Sequence, residues 1–222
     1  MNNYYFYRMT CDTGNAPCVF EKGYKSSNIL TLACCKGGQI RNGKPVKTGL
    51  RHTVGNAMSN KFNDNQYIIG ILKDRIVFVA KIKEAVLMAD YFSNENYRNR
   101  MDCIYDVIDD KNEWRLKRRE DFNPDFHGQD CTDQHQHDEL GEYVLISEEF
   151  IYQGSDKSLN IDPSISHLMP KRQETKHYTD NDKGSDTIKQ FVEQCINKGK
   201  QSNFVPTEYL GVKSCKAKRC QK

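Results

Sequence analysis

The sequence predicts an α+β fold: a small mixed β-sheet or partly open barrel, few helices, and a C-terminal helix packed on it. Three observations carry that prediction. The opening YYFYRMT alternates, with Tyr5, Tyr7 and Met9 on one face and Tyr4, Phe6, Arg8 and Thr10 on the other. That is the period of a strand covered at least in part on both sides. YIIGIL, a Lys73-Asp74 turn and RIVFVAKIKE read as two strands of a hairpin over 67–84. Ile188, Phe191, Val192, Cys195 and Ile196 fall at i, i+3, i+4, i+7 and i+8, one face of a helix.

The totals bound what the chain can be. Its 222 residues suffice for one domain of ordinary core size, or for one domain with an appendage. We divide it into an α+β domain over 1–154 and, over 155–222, a polar connector, an amphipathic helix and a basic tail packing on the same domain. Mean hydropathy is −0.81 and no apolar run approaches the ~20 residues that span a bilayer. The start, MNNYYFYRMT, lacks the basic region and apolar core of a secretory signal. Nine cysteines, an odd number without a regular framework, are then expected as reduced thiols in a cytoplasmic protein. The net charge of +3 is too mild to announce nucleic-acid binding. Basic residues do cluster at 36–51, at RLKRR (115–119) and at KSCKAKRCQK (213–222), where a solvated face explains them as well as a phosphate track does.

In chain order, the first strand runs into a polar turn, Thr10-Cys11-Asp12-Thr13-Gly14-Asn15, whose side chains bond local backbone or a ligand. A second apolar run follows over Ile29 to Cys35. Residues 36–66, rich in Gly, Asn, Lys and Pro, read as a long loop, functional or mobile. Within the hairpin's second strand Ile76, Phe78, Ala80 and Ile82 are expected on one face, Val77 and Val79 on the other. AVLMADYFSNENYRNR suggests a short helix and a polar loop, and MDCIYDV a short strand or turn. Residues 109–142 read as charged and irregular, EYVLISEEFIYQG as strand, and 155–184 as connector. Ser185 is the expected cap of the final helix, with Asp186 in its first turn and Gly199 at its end.

Three constellations could carry chemistry. His127, Cys131, His135, His137 and Asp138 are all metal-ligand types, but their spacing matches no standard finger and we expect no metal site. His127 alone suits proton transfer, its ordinary pKa lying near 6.5. Cys34-Cys35, before a Gly-Gly turn, or Cys103 could pair with His127 as a nucleophile; buried thiols acting as small apolar residues are the simpler account. Tyrosines and phenylalanines interleaved with basic residues, Tyr105 among them, could stack bases or form core. There is no GxGxxG, Walker A loop, GxSxG elbow or HExxH. No cofactor is indicated.

The chain resembles the nucleotide-modification-associated domain family, type two, of bacteria and phages. The matching pieces are RMTCDTGNAPCVF (8–20), LTLACCKGGQIR (30–41), RIVFVAKIKEAVLMADYF (75–92), MDCIY (101–105), Phe126-His127 and YVLISEEFIYQG (143–154), in that order. A GD-aromatic strand common in the family after the IR block is replaced here by the insert 43–66. The hairpin followed by ADYF is also similar in pattern to PUA-like and EVE-like base-binding barrels. The resemblance implies a protein linked to modified nucleotides or to bases in DNA, with a nucleotide or nucleic acid as partner. It directs attention to Arg8, Asp12, Thr13, Arg41 and His127. Two functions are expected. As an enzyme on a base or nucleotide, the protein would use Asp12 and His127 for protons and Arg8 for phosphate, with Thr10, Thr13, Arg41 and Tyr105 completing the ligand contacts. As a reader, it would only recognise a modified base or signalling nucleotide in the same pocket.

Overall fold

The computed structural model describes residues 1–9, 12, 16–23, 25–34, 37–41, 44–60, 64–110, 113–119, 138–154, 158–172 and 174–198. Two sheets make its centre. The first is ordered β12 (Glu149–Tyr152), β7 (Arg75–Ile82), β6 (Asn65–Leu72), β1 (Asn2–Met9) and β14 (Thr175–Thr179), with β13 (Leu159–Asn160) also paired to β7. It is mixed, because β1 and β6 run parallel while its other pairs are antiparallel. The second is ordered β2 (Cys18–Glu21), β3 (Lys25–Leu32), β11 (Tyr143–Ser147) and β8 (Glu84–Leu87).

The two sheets share a corner. β7 passes into β8 through Lys83 alone, and β11 into β12 through Glu148 alone, so one antiparallel ribbon belongs to both sheets. Strands that switch sheets at a bend make such corners. The Lys83 amide donates to Ile146 O at 2.8 Å, and its Nζ stands 2.7 Å from Glu148 Oε1. Among the described residues no sheet closes into a barrel; they adopt the open mixed-sheet form of the expected α+β class.

Alternation along β1 sorts its side chains between two cores as the sequence requires. Tyr5, Tyr7 and Met9 meet Phe20, Leu32 and Leu145 of the second sheet. Tyr4 and Phe6 face the other way, onto α4 (Ser185–Asn197), through Ile188, Val192 and Cys195. A third core lies behind the second sheet, under α2 (Met88–Ser93) and the ribbon of β9 (Tyr105–Asp110) and β10 (Glu113–Arg118). Each sheet is therefore buried on both faces, which accounts for strands that read as nearly continuous apolar runs.

Several expectations are corrected here. Residues 36–66 are not a loop throughout: β4 (Gly38–Arg41) and β5 (Lys44–Thr48) form a hairpin, and α1 (Leu50–Asn60) follows. The helix is masked in the sequence by its Asn, Gly and Ser content. Its inner stripe is Leu50, Val54 and Met58 at i, i+4 and i+8, beside a buried arginine, Arg51, where an apolar residue is usual. The stretch 109–142, read as irregular, contains β10, whose local pattern is charged because only Leu116 of its described side chains is buried. The connector 155–184 supplies β13, a short helix α3 (Pro163–Ser166) and the edge strand β14. Ile76 faces α4 and not the inter-sheet core. A bulge pairs Gly70 with Phe78 but Ile71 with Ile76, so Val77 is the extra residue and the alternation reverses there. Gly70 is required, since a Cβ would collide with the Phe78 ring. Gly184, at φ 90°, is the cap of α4, and Ser185 is its first residue; the Ser185 hydroxyl donates to Asp180 O at 2.8 Å. No helix among the described residues is long and apolar enough to cross a membrane.

Candidate functional site

At the end of β1, on the α4 side of the first sheet, lies a groove of about 590 Å3. Its walls come from distant parts of the chain: Arg8, Asp74 in the β6–β7 turn, Asn160 at the end of β13 and Ile161 after it, Pro163 and Ser166 of α3, and Met169 to Lys171. Arg8 is fixed at its wall. Its Nε donates to Pro170 O at 2.9 Å and its Nη1 to Lys73 O, while Nη2 stands 3.7 Å from Asp74 Oδ1. Lys73 takes a left-handed conformation, φ 55°, uncommon outside glycine, in the two-residue turn that carries this carbonyl. The groove thus offers two cations, a carboxylate, an amide and a hydroxyl against an apolar wall of Ile161, Pro163 and Met169. Such a set can bind a phosphate beside a heterocycle.

Asp12 is elsewhere. It is buried, and the Tyr152 hydroxyl lies 3.0 and 3.1 Å from its two carboxylate oxygens. Tyr152 belongs to the inter-sheet core, with its ring edge-on to Phe20, whereas Arg8 shares the opposite face of β1 with Tyr4 and Phe6. The structure does not bring Arg8 and Asp12 onto common partners. Tyr105 lies in the third core, its ring edge-on to Phe92 and its hydroxyl donating to Asp138 Oδ2 at 2.8 Å. Burial, then the Asp138 charge, pushes the Tyr105 hydroxyl far above the ordinary tyrosine range. Asp138 in turn faces Arg51, whose Nη2 donates to Asp138 O at 2.5 Å and Nη1 to Tyr143 O at 2.7 Å. The Arg51 guanidinium lies on Gly141, where any Cβ would meet it. Arg41 contributes backbone to β4. Thr10, Thr13 and His127 lie outside the described residues, as do Cys35 and the histidine group 127–137. Among the described residues no group of three His, Cys, Asp or Glu side chains is placed to hold a metal ion.

Sequence reasoning missed a densely bonded buried polar centre, around Arg100 and Asp102, 3% and 0% exposed. Arg100 Nη1 donates to Ser27 Oγ at 2.8 Å; Nη2 donates to Cys18 O at 2.7 Å and Thr31 Oγ1 at 2.9 Å. Tyr91 donates to Asp102 Oδ1 at 2.8 Å, and the Thr31 hydroxyl donates to Oδ2. Arg100 Nε stands 3.4 Å from Asp102 Oδ1 without hydrogen-bond alignment, so that contact is coulombic. The centre ties β2 and β3 to the 101–104 turn and is sealed from solvent. Its thiols are not activated: burial, then the Asp102 charge, pushes Cys18 up to about 12 and Cys103 up to about 11. Cys103 therefore stands as a protonated core residue, against a nucleophile's need for thiolate. The local signal for this centre was Arg-x-Asp beside an apolar turn, too common to single out.

Comparison with known proteins adds one finding. A family model described as nucleotide modification associated domain 2 matches residues 1–210, reaching well past the six blocks that first suggested the likeness. No curated protein and no solved structure matches the chain. With nearly its whole length matched, from β1 through α4, the chain belongs to the nucleotide modification associated domain 2 family.

Proposed function

We propose that the protein recognises a nucleotide, free or within DNA, in the groove at the end of β1. Phosphate is held by Arg8 and Lys171, Asn160 and Ser166 face the sugar or base edge, and the base lies on Ile161, Pro163 and Met169. One observation carries this reading: a guanidinium anchored by two backbone carbonyls at the wall of a groove of about 590 Å3, in a chain of a nucleotide-modification family. A preorganised arginine loses little freedom on meeting a phosphate. The cytoplasm is the proposed setting, supported by Cys18, Cys103 and Cys195, which form no disulfide among the described residues. Because Arg8 also ties three segments together, Lys171 is the cleaner probe. Lys171→Glu should abolish nucleotide binding in calorimetric titration while leaving the thermal midpoint unchanged. Binding as tight as in the wild type would sink the groove as the ligand site.

Catalysis is the second reading, favoured by a buried carboxylate, Asp12, under the Tyr152 hydroxyl. Buried titratable groups mark functional sites more often than chance. In this reading Asp12 and His127 handle protons, with Thr10, Thr13 and Arg41 as further ligand contacts. Mass spectrometry of nucleosides from cells expressing the wild type and Asp12→Asn tests it. A modified nucleoside present only with the wild type is expected; identical nucleoside profiles would refute catalysis by Asp12.

A further inference from the structure

We propose that Asp74 selects the charge of the ligand, so that the groove accepts a phosphodiester, with one negative charge per phosphate, and disfavours a terminal polyphosphate. The inference rests on the groove reading above.

Lys73 and Asp74 are the whole loop between Leu72 and Arg75. The Lys73 carbonyl is bonded to Arg8 Nη1, so the turn and the guanidinium are held together, and this fixes where the next residue places its carboxylate. Asp74 Oδ1 lies 3.7 Å from Arg8 Nη2, and both residues line the groove. Yet the Asp74 side chain is 94% exposed, and that of Arg8 is 22% exposed. A solvated ion pair of this kind contributes little to stability. The fold is held by the two carbonyl bonds to Arg8, not by Asp74. What the carboxylate does is stand beside the one terminal nitrogen of Arg8 that neither carbonyl engages.

An incoming phosphate must share or displace that contact. Repulsion from Asp74 grows with each negative charge brought near it, whereas the attraction of Arg8 is already partly neutralised. Lys171, which also lines the groove and follows Pro170 in the chain, offsets one charge. A diester meets a balanced site; a triphosphate meets an excess of negative charge. Exposed Lys73 and Arg172 lie nearby along the chain, but neither lines the groove.

The test is titration of thymidine triphosphate and of the thymidine dinucleoside monophosphate into the wild type, Asp74→Asn, Asp74→Ser and Lys171→Glu, at low constant ionic strength. Asp74→Asn and Asp74→Ser should tighten triphosphate binding by at least about fivefold and diester binding by less than about twofold. Equal changes for both ligands, or none, with Lys171→Glu still abolishing binding, would overturn the role of Asp74 and leave the groove standing. Wild-type affinity in Lys171→Glu, or no binding by any protein, would overturn the groove reading and this inference with it. Thermal melts of the two Asp74 variants are expected to match the wild type, since the side chain is in solvent.

Discussion

Removing the charge of Arg100 tests what holds the second sheet to the turn behind it. Arg100→Met keeps the length and apolar stem of the side chain and deletes a guanidinium that bonds Ser27, Cys18 O and Thr31 beside the Asp102 charge. Asp102 would remain fully buried with the hydroxyls of Tyr91 and Thr31 but no counter-charge in this network. Breaking a buried pair from one side costs about 3–5 kcal/mol, because the surviving charge is uncompensated. For a domain of this size that lowers the midpoint by roughly 6–20 °C, at about 2–4 °C per kcal/mol. Asp102→Asn should cost a similar amount for the mirrored reason. The double variant Arg100→Met/Asp102→Asn should lose clearly less than the sum, since neither charge is then left alone, with a coupling on the order of 0.5–3 kcal/mol. Urea unfolding of the four proteins measures this, with unchanged slopes confirming a common unfolded state. Strictly additive losses would show that the two residues stabilise the turn independently, and the reasoning would be wrong.

Ile188→Ala on α4, where the side chain is fully buried against the first sheet, should cost about 2–5 kcal/mol, whereas Phe191→Ala should cost less than the ~3–5 kcal/mol of a fully buried ring. Phe191 is only half-buried, so the order of the two losses in urea melts checks how the helix is rotated. Tyr152→Phe removes the hydroxyl bonded to Asp12 and should lower stability by about 1.5–3 kcal/mol, the range for a bond to a charged group. A neutral result would mean Asp12 is held by its other interactions. Stability should also fall on the alkaline side. Burial raises Cys18 from 9.0 to about 12 and Tyr5 from 10.0 to about 12, so the unfolded chain loses these protons first. Their contribution is complete below pH 9, declines as pH rises, and is gone above about 12. Urea midpoints at pH 8 and 10.5 measure it, and Cys18→Ala should flatten the slope; a midpoint that does not fall would contradict the assignment.

How much of this was legible beforehand depends on how local the determinant is. β1 was readable because alternation over Tyr4 to Met9 is a property of adjacent residues, and both faces met apolar partners as that pattern demands. The β6–β7 hairpin and α4 were readable for the same reason, each carrying its own period and its own turn or cap. α1 was not, because a helix with Arg51 on its inner side has no clean apolar stripe. Its buried cation is met by the carbonyls of Asp138 and Tyr143 and by the Asp138 carboxylate, which lie far along the chain. β14 was missed because an edge strand needs only the backbone of β1 to pair with, and its described side chains are all partly exposed.

The candidate site divides the same way. Arg8 could be singled out from sequence as a cation at a strand end, and the structure places it in a groove. Asp74 and the lining residues drawn from the segment 160–171, which make the rest of that groove, carry no mark of a site in their own neighbourhoods. They become a site only when the β6–β7 turn and the segment after β13 are both packed at the end of β1. Asp12 stood four residues from Arg8, close enough to suggest one pocket. Strand alternation put Arg8 on the helix side, while the chain beyond β1 carried Asp12 to Tyr152 in the inter-sheet core. Sequence alone determined the periodicities of β1, of the β6–β7 hairpin and of α4, and through them that these elements form. The partners of each polar side chain were decided by tertiary packing, because hydrogen bonds and ion pairs act across a few ångströms of space and are indifferent to distance along the chain.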